Sequence, residues 1–263
     1  MSKSSVAVMT NISPLHTALT TTVTGSGPGI VLAHGAGGGV EANFGSLIPL
    51  LAEGHTVTGS DYPSDGKPLD LDALADAVVA EAATERFTII GFSLGTAVAA
   101  RAAARHPERV TGLVLAAGLS RADNRLRLAL DIWRDLLAGG DLETFARFVL
   151  GSAFSPEFVN DLPPEAVAAT VADIAATVPS GTAAQAALAG RVDTTADLAG
   201  IAVPTLVIGA SEDLLVDPVN HRSLAEGIAG AEYAELKAGH VLMAEQPDAW
   251  HQLILDFLGR HGL

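Results

Sequence analysis

Between residues 87 and 107 the chain runs from a mostly apolar stretch, Phe87 to Ile90, straight into Gly91-Phe92-Ser93-Leu94-Gly95. It continues into an alanine-rich stretch, Thr96 to Arg105, that stops at His106-Pro107. A short apolar run bounded by glycine reads as a strand buried on both faces, alanine is the best helix former, and proline closes a helix. The backbone must therefore turn from strand to helix within the five residues around Ser93. Side chains two positions either side of such a turn would collide across it, which accounts for glycine at 91 and 95. The turn also aims the first amides of the helix, Leu94 among them, at the place where charge on a reacting carbonyl would develop. The pattern alone arises easily in a chain with 27 glycines. Its position between strand and helix makes Ser93 a nucleophile candidate.

The same alternation recurs on both sides. Strand candidates are Val6 to Thr10, Leu15 to Thr24, Ile30 to Ala33, His55 to Gly59, Val110 to Leu115, Thr205 to Ile208 and Glu232 to Leu236. The first two suggest an N-terminal hairpin, and the third ends at the glycine loop His34 to Gly39. Helical periodicity marks Phe44 to Leu51, Leu69 to Thr84, Val219 to Ile228 and Pro247 to Gly259. Strands and helices in alternation form crossover units on a mostly parallel sheet, so the fold class is α/β. From residue 119 to residue 198 strand signals vanish. Helical patterns cover Arg121 to Leu137, Leu142 to Leu150, Pro164 to Thr177 and Thr182 to Ala189. The chain thus divides into a core, 1–118 with 199–263, and a helical insertion, 119–198.

Composition narrows the partners. With 15 Lys and Arg against 30 Asp and Glu, the net charge of −15 repels phosphate backbones and anionic lipid, so neither nucleic acid nor membrane is expected. There is no cysteine, which removes disulfides, thiolate metal sites and cysteine nucleophiles. No apolar run is long enough for a secretory core or a membrane span, and a cytoplasmic location is expected. Monomer and homo-oligomer both stay open.

A serine hydroxyl needs a base to take its proton, and the base needs a carboxylate to hold its tautomer. Of the eight histidines, His240 follows the Glu232 to Leu236 strand in a loop at the carboxyl edge of the sheet. His16, His55, His106, His221, His251 and His261 read as hairpin, strand, helix or tail positions. Asp213, in the loop after the Thr205 to Ile208 strand, is the chosen acid, with Glu212 and Asp217 as close rivals. The order Ser93, Asp213, His240 is that associated with this kind of turn. The glycine loop at His34 to Gly39 lacks both phosphate-binding patterns, and no H-E-x-x-H zinc pattern occurs.

Taken together, His34-Gly35, the turn at Ser93, Gly209 to Asp213 with Val216 and Pro218, and Gly239-His240 to Glu245-Gln246-Pro247 resemble the α/β-hydrolase superfamily, in particular its single-domain esterases, lactonases and perhydrolases. The resemblance covers nearly the whole chain. It implies an eight-stranded, mostly parallel sheet with a helical cap inserted after the sixth strand. General base catalysis, about 10²–10⁴-fold, and oxyanion donors, about 10²–10³-fold each, require no cofactor or metal, and a small-molecule substrate is expected. The resemblance also implies a second oxyanion amide at Ala36 and a structural role for His34. Many relatives carry D-x-x-G-x-G-x-S after the fourth strand, whereas this chain has Asp61-Tyr62-Pro63-Ser64-Asp65-Gly66-Lys67-Pro68. Substrate choice is expected from the cap, with Phe92, Trp133, Phe145 and Phe148 lining the pocket and some of Leu126, Leu130, Leu137, Phe154 and Phe158 beside them.

Three activities fit this reading: hydrolysis of a small or medium carboxylic ester, thioester or lactone; perhydrolysis, carbon–carbon bond hydrolysis or acyl transfer on the same residues; and ligand binding by a non-catalytic scaffold.

Overall fold

A computed structural model describes residues 19–263. Seven strands lie within them: β1 (Thr20–Gly25), β2 (Gly29–Ala33), β3 (Thr56–Asp61), β4 (Phe87–Phe92), β5 (Val110–Ala116), β6 (Thr205–Ala210) and β7 (Glu232–Leu236). They form one sheet in the order β1-β3-β2-β4-β5-β6-β7, with β1 antiparallel to β3 and every other pairing parallel. The sheet therefore has seven strands among the described residues rather than the expected eight. The Val6 to Thr10 candidate, its half of the proposed hairpin, and His16 lie outside the described residues. The arm that is described pairs with β3.

The central parallel strands β2, β4, β5 and β6 are buried along almost their whole length because helices cover both sheet faces, whereas the outer strand β7 alternates with polar residues. Successive side chains point to opposite faces, so Ile89 belongs to the core cluster that holds Leu74, Val78 and Val98, while its neighbour Ile90 belongs to the one that holds Phe44, Trp250 and Ile254. One layer holds α3 (Leu71–Glu81) and α4 (Leu94–Arg105). The other holds α1 (Val40–Phe44), α2 (Ile48–Ala52) and the C-terminal helix. Each fully buried large side chain, such as Phe44 or Ile90, contributes about 1.5–3 kcal/mol by leaving water. The single helix expected over Phe44 to Leu51 divides into α1 and α2. Leu47 N–H turns back to Phe44 O at 2.8 Å, and Pro49 restarts the helix in its first turn, where its missing N–H costs nothing.

Between β5 and β6 lie six helices: α5 (Asn124–Gly139), α6 (Leu142–Ala153), α7 (Pro156–Asp161), α8 (Pro164–Thr177), α9 (Thr182–Ala189) and α10 (Thr195–Leu198). Asp123, Asp141 and Ser155 cap three of them by accepting the N–H of Leu126, Thr144 and Phe158. The helices α7 and α10 are too short to show in the periodicity. The two ends of this segment meet: Ala122 N–H donates to Val192 O at 3.0 Å and Thr194 N–H to Ser120 O at 2.7 Å. After β6 come α11 (Pro218–Glu226), then, beyond β7, α12 (Leu242–Glu245) and α13 (Pro247–His261). The last helix extends past the expected Gly259 to His261, whose Nε2 stands 2.8 Å from Glu232 Oε1. Among the described residues no helix is long and apolar enough to cross a membrane.

Candidate active site

Ser93 sits at the N-cap of α4 with φ 53° and ψ −119°, a backbone conformation that L-residues avoid at a cost of about 1–3 kcal/mol. The surroundings hold it there. Ser93 N–H donates to Ala116 O at 2.9 Å, while Thr96 donates to Ser93 O from its N–H at 2.9 Å and its hydroxyl at 2.7 Å. A Cβ on Gly95 would stand 1.9 Å from Ala33 O, and one on Gly91 would stand 2.5 Å from Gly95 O. Any side chain at either position would push the turn apart.

Asp213 and His240 come from loops at the carboxyl ends of β6 and β7, and the parallel sheet brings both to the same edge as Ser93. His240 Nε2 stands 2.9 Å from Ser93 Oγ, and His240 Nδ1 stands 2.6 Å from Asp213 Oδ2. A carboxylate only accepts, so the Nδ1–H of His240 donates to it and Nε2 is left to accept from the serine hydroxyl. The second oxygen, Asp213 Oδ1, accepts Leu215 N–H at 2.9 Å and Val216 N–H at 2.8 Å. Burial pushes the Asp213 carboxyl up, but His240 and His221 beside it outweigh that and hold it well below the ordinary carboxylate range. The rival acids are engaged elsewhere. Asp217 caps α11 by accepting Val219 N–H at 3.0 Å, and Glu212 faces Lys237 Nζ at 3.9 Å.

His34 lies behind this site, buried and stacked on Tyr62 with ring centroids 3.7 Å apart. Its Nδ1–H donates to Gly35 O at 2.8 Å and its Nε2 accepts Tyr62 N–H at 3.0 Å. Burial lowers its pKa, against the opposing pull of the Gly35 carbonyl and Asp61. The loop it anchors carries Ala36. The amides on either side are tied, Gly35 N–H to Asn43 Oδ1 and Gly37 N–H to Gln185 Oε1, both at 2.9 Å. Among the described residues the Ala36 and Leu94 amides have no acceptor.

A cavity of about 230 Å³ opens above Ser93 and His240. Phe92, Trp133 and Phe145 line it, joined from the sequence candidates by Leu126, Leu130 and Phe154. Phe148 does not line it. It packs against the main apolar core, because on α6 the cavity takes the face of Phe145 and Val149, and Phe148 is turned about 100° from Val149. Leu137 and Phe158 likewise stay outside the lining. Among the described residues no cluster of His, Asp or Glu is arranged to hold a metal.

Three side chains near the site carried no signal in the sequence. Asn43 and Gln185 tie the amides of Gly35 and Gly37 from 8 and 148 residues away, and polar residues on helices have no mark that tells a tether from a surface group. His221 read as an ordinary helical residue, yet it is fully buried, with Nε2 3.4 Å from Asp213 Oδ2.

A strained serine at a strand-to-helix turn, with histidine and carboxylate supplied from later loops of a parallel sheet, defines a fold family of hydrolytic enzymes. The family model described as alpha/beta hydrolase fold matches residues 28–247, and the chain belongs to that family as an enzyme. It is 36% identical over 247 residues to a pyrrolizixenacetamide deacetylase of Xenorhabdus hominickii, covering 90% of this chain and 92% of that one. It is 28% identical over 244 residues to a pimeloyl-[acyl-carrier protein] methyl ester esterase of Neisseria meningitidis, covering 87% and 93%. In fold it is similar to the enol-lactonase of Burkholderia xenovorans LB400, with a TM-score of 0.82 at 24% identity over 93% of this chain and 98% of that one.

Proposed function

We propose that the protein hydrolyses small to medium carboxylic esters, thioesters or lactones by two-step acyl transfer on Ser93. The observation that carries the reading is the unbroken relay from Ser93 Oγ through the His240 ring to Asp213 Oδ2, at 2.9 and 2.6 Å. Ser93 Oγ attacks the substrate carbonyl carbon as its proton passes to His240 Nε2. The imidazolium so formed is stabilised by Asp213, and the oxyanion by the amides of Ala36 and Leu94. Collapse of the tetrahedral intermediate breaks the bond to the alcohol or thiol, which takes the proton from His240 and leaves an acyl-serine. Water then gives a proton to His240, adds to the acyl carbon, and releases the acid as Ser93 recovers its proton. General base catalysis is worth about 10²–10⁴-fold, and each oxyanion donor about 10²–10³-fold.

The helical segment 119–198 is the cap in this reading, and it sets the substrate. Among the described residues no ionisable side chain besides His240 lines the cavity, so an apolar, uncharged acyl group fits it and a charged one would lose its hydration without a partner. The 36% identity to a pyrrolizixenacetamide deacetylase favours a second reading, amide cleavage on the same residues, with His240 protonating the leaving nitrogen. The test is to treat the protein with a fluorophosphonate and to assay p-nitrophenyl esters and matched anilides, beside Ser93→Ala. Labelling and turnover that vanish in Ser93→Ala are expected. A wild-type protein that neither labels nor turns over any of these substrates would sink the reading.

A further inference from the structure

His221 is fully buried on α11, one turn from Leu224, where an apolar residue would pack without any need for partners. A buried imidazole is costly unless its nitrogens are satisfied. Its Nδ1 accepts the backbone N–H of Ala210 at 3.2 Å, so the ring proton resides on Nε2. That nitrogen has no conventional hydrogen bond among the described residues. The acceptor it faces is Asp213 Oδ2, 3.4 Å away, the same oxygen that receives His240 Nδ1–H. Both ring and carboxylate are shut off from solvent, where the attraction of an N–H dipole for a carboxylate is strengthened by the low local dielectric.

We propose that His221 is a positioning residue that acts through Asp213 on His240, an inference that rests on reading Ser93, His240 and Asp213 as a working relay. Its two nitrogens do separate jobs. Nδ1 holds the end of β6, three residues before Asp213, against α11. The Nε2–H shares the negative charge of Oδ2, so that less of it bears on the His240 imidazolium. The neighbouring charged groups are occupied elsewhere. On the β7 side Glu235 accepts from Arg222 and from the Tyr233 hydroxyl, each at 2.7 Å. Beside the His240 loop, Glu245 accepts from Gly239 and Ser155, and Lys237 pairs with Glu157. Asp217 faces Arg125 at 3.7 Å.

Replacing the ring by one of similar shape without nitrogens, His221→Phe, returns the full carboxylate charge to His240 and favours its protonated form. The midpoint of the rising limb of kcat/KM against pH, measured with p-nitrophenyl butyrate, is expected to move up by about one unit, with KM unchanged. His221→Gln, which restores an N–H donor, is expected to bring the midpoint back. A His221→Phe profile that superimposes on wild type overturns the proposal. Should His221→Phe fail to fold, ¹⁵N NMR of the wild-type side chain decides: a ring proton found on Nδ1 instead of Nε2 overturns it. Following the His240 ring resonances in Ser93→Ala, with and without His221→Gln or His221→Phe, separates the two readings. A shift there without fluorophosphonate labelling of wild type sinks the hydrolase reading alone. Labelling without a shift sinks the positioning role alone.

Discussion

Glu245 Oε1 accepts the backbone N–H of Ser155 at 2.9 Å, which joins the loop that carries His240 to the helical segment over the cavity. The same oxygen accepts Gly239 N–H at 3.1 Å, and Val241 N–H donates to Ala153 O at 3.1 Å. His240 is therefore gripped on both sides by the end of α6 and the start of α7. Glu245→Ala removes the acceptor from two amides at once and frees the loop. Activity is expected to fall roughly 10–100-fold, in line with the cost of small misplacements of catalytic groups. Glu245→Gln, which keeps an acceptor oxygen, should retain most of it. Steady-state kinetics on one ester checks this; equal loss in both variants would assign the effect to charge instead of position.

Asp213 is distinguished from its neighbours by what each oxygen touches. Asp213→Asn leaves the His240 tautomer unspecified and is expected to lower kcat by roughly 10³–10⁴-fold. Asp217→Asn keeps a good helix cap, and Glu212→Gln weakens only a long, half-exposed contact to Lys237, so both should stay within about two-fold of wild type. Turnover numbers for the three variants decide it.

Gln185 reaches Gly37 N–H from α9, so the helical segment also sets the loop that presents the Ala36 amide. On the proposed oxyanion role of Ala36, Gln185→Ala is expected to lower kcat about ten-fold with little change in KM, since such a contact matters most in the transition state. A rise in KM with kcat preserved would place Gln185 in substrate binding.

His34 gives a pH dependence of stability with a definite sign. Its folded-state pKa is lowered, chiefly by burial, so below the ordinary histidine value of about 6.5 the unfolded chain binds a proton that the folded chain resists. Stability contributed by the neutral ring is complete above that value and is lost as pH falls through it toward the folded-state pKa. The melting temperature is expected to drop between pH 7 and pH 5, and His34→Gln should flatten the drop. Scanning calorimetry across that range measures it; identical slopes in the two proteins would remove His34 as the cause.

The strand, turn and helix around Ser93 were legible in the chain because each is a local matter: apolar run, glycine spacing, alanine content. Ser93, Asp213 and His240 meet because loops at the carboxyl ends of parallel strands recur at one edge of the sheet. The sheet's seven described strands and the helical segment from 119 to 198 follow from the same periodicities. What lies beyond local pattern is which polar side chain meets which backbone amide. Asn43, Gln185, His221 and the choice of Val149 over Phe148 at the cavity depend on helices packed at particular rotations. A helix's own sequence tells which face is apolar, and only its neighbours decide what the few polar groups on that face can reach.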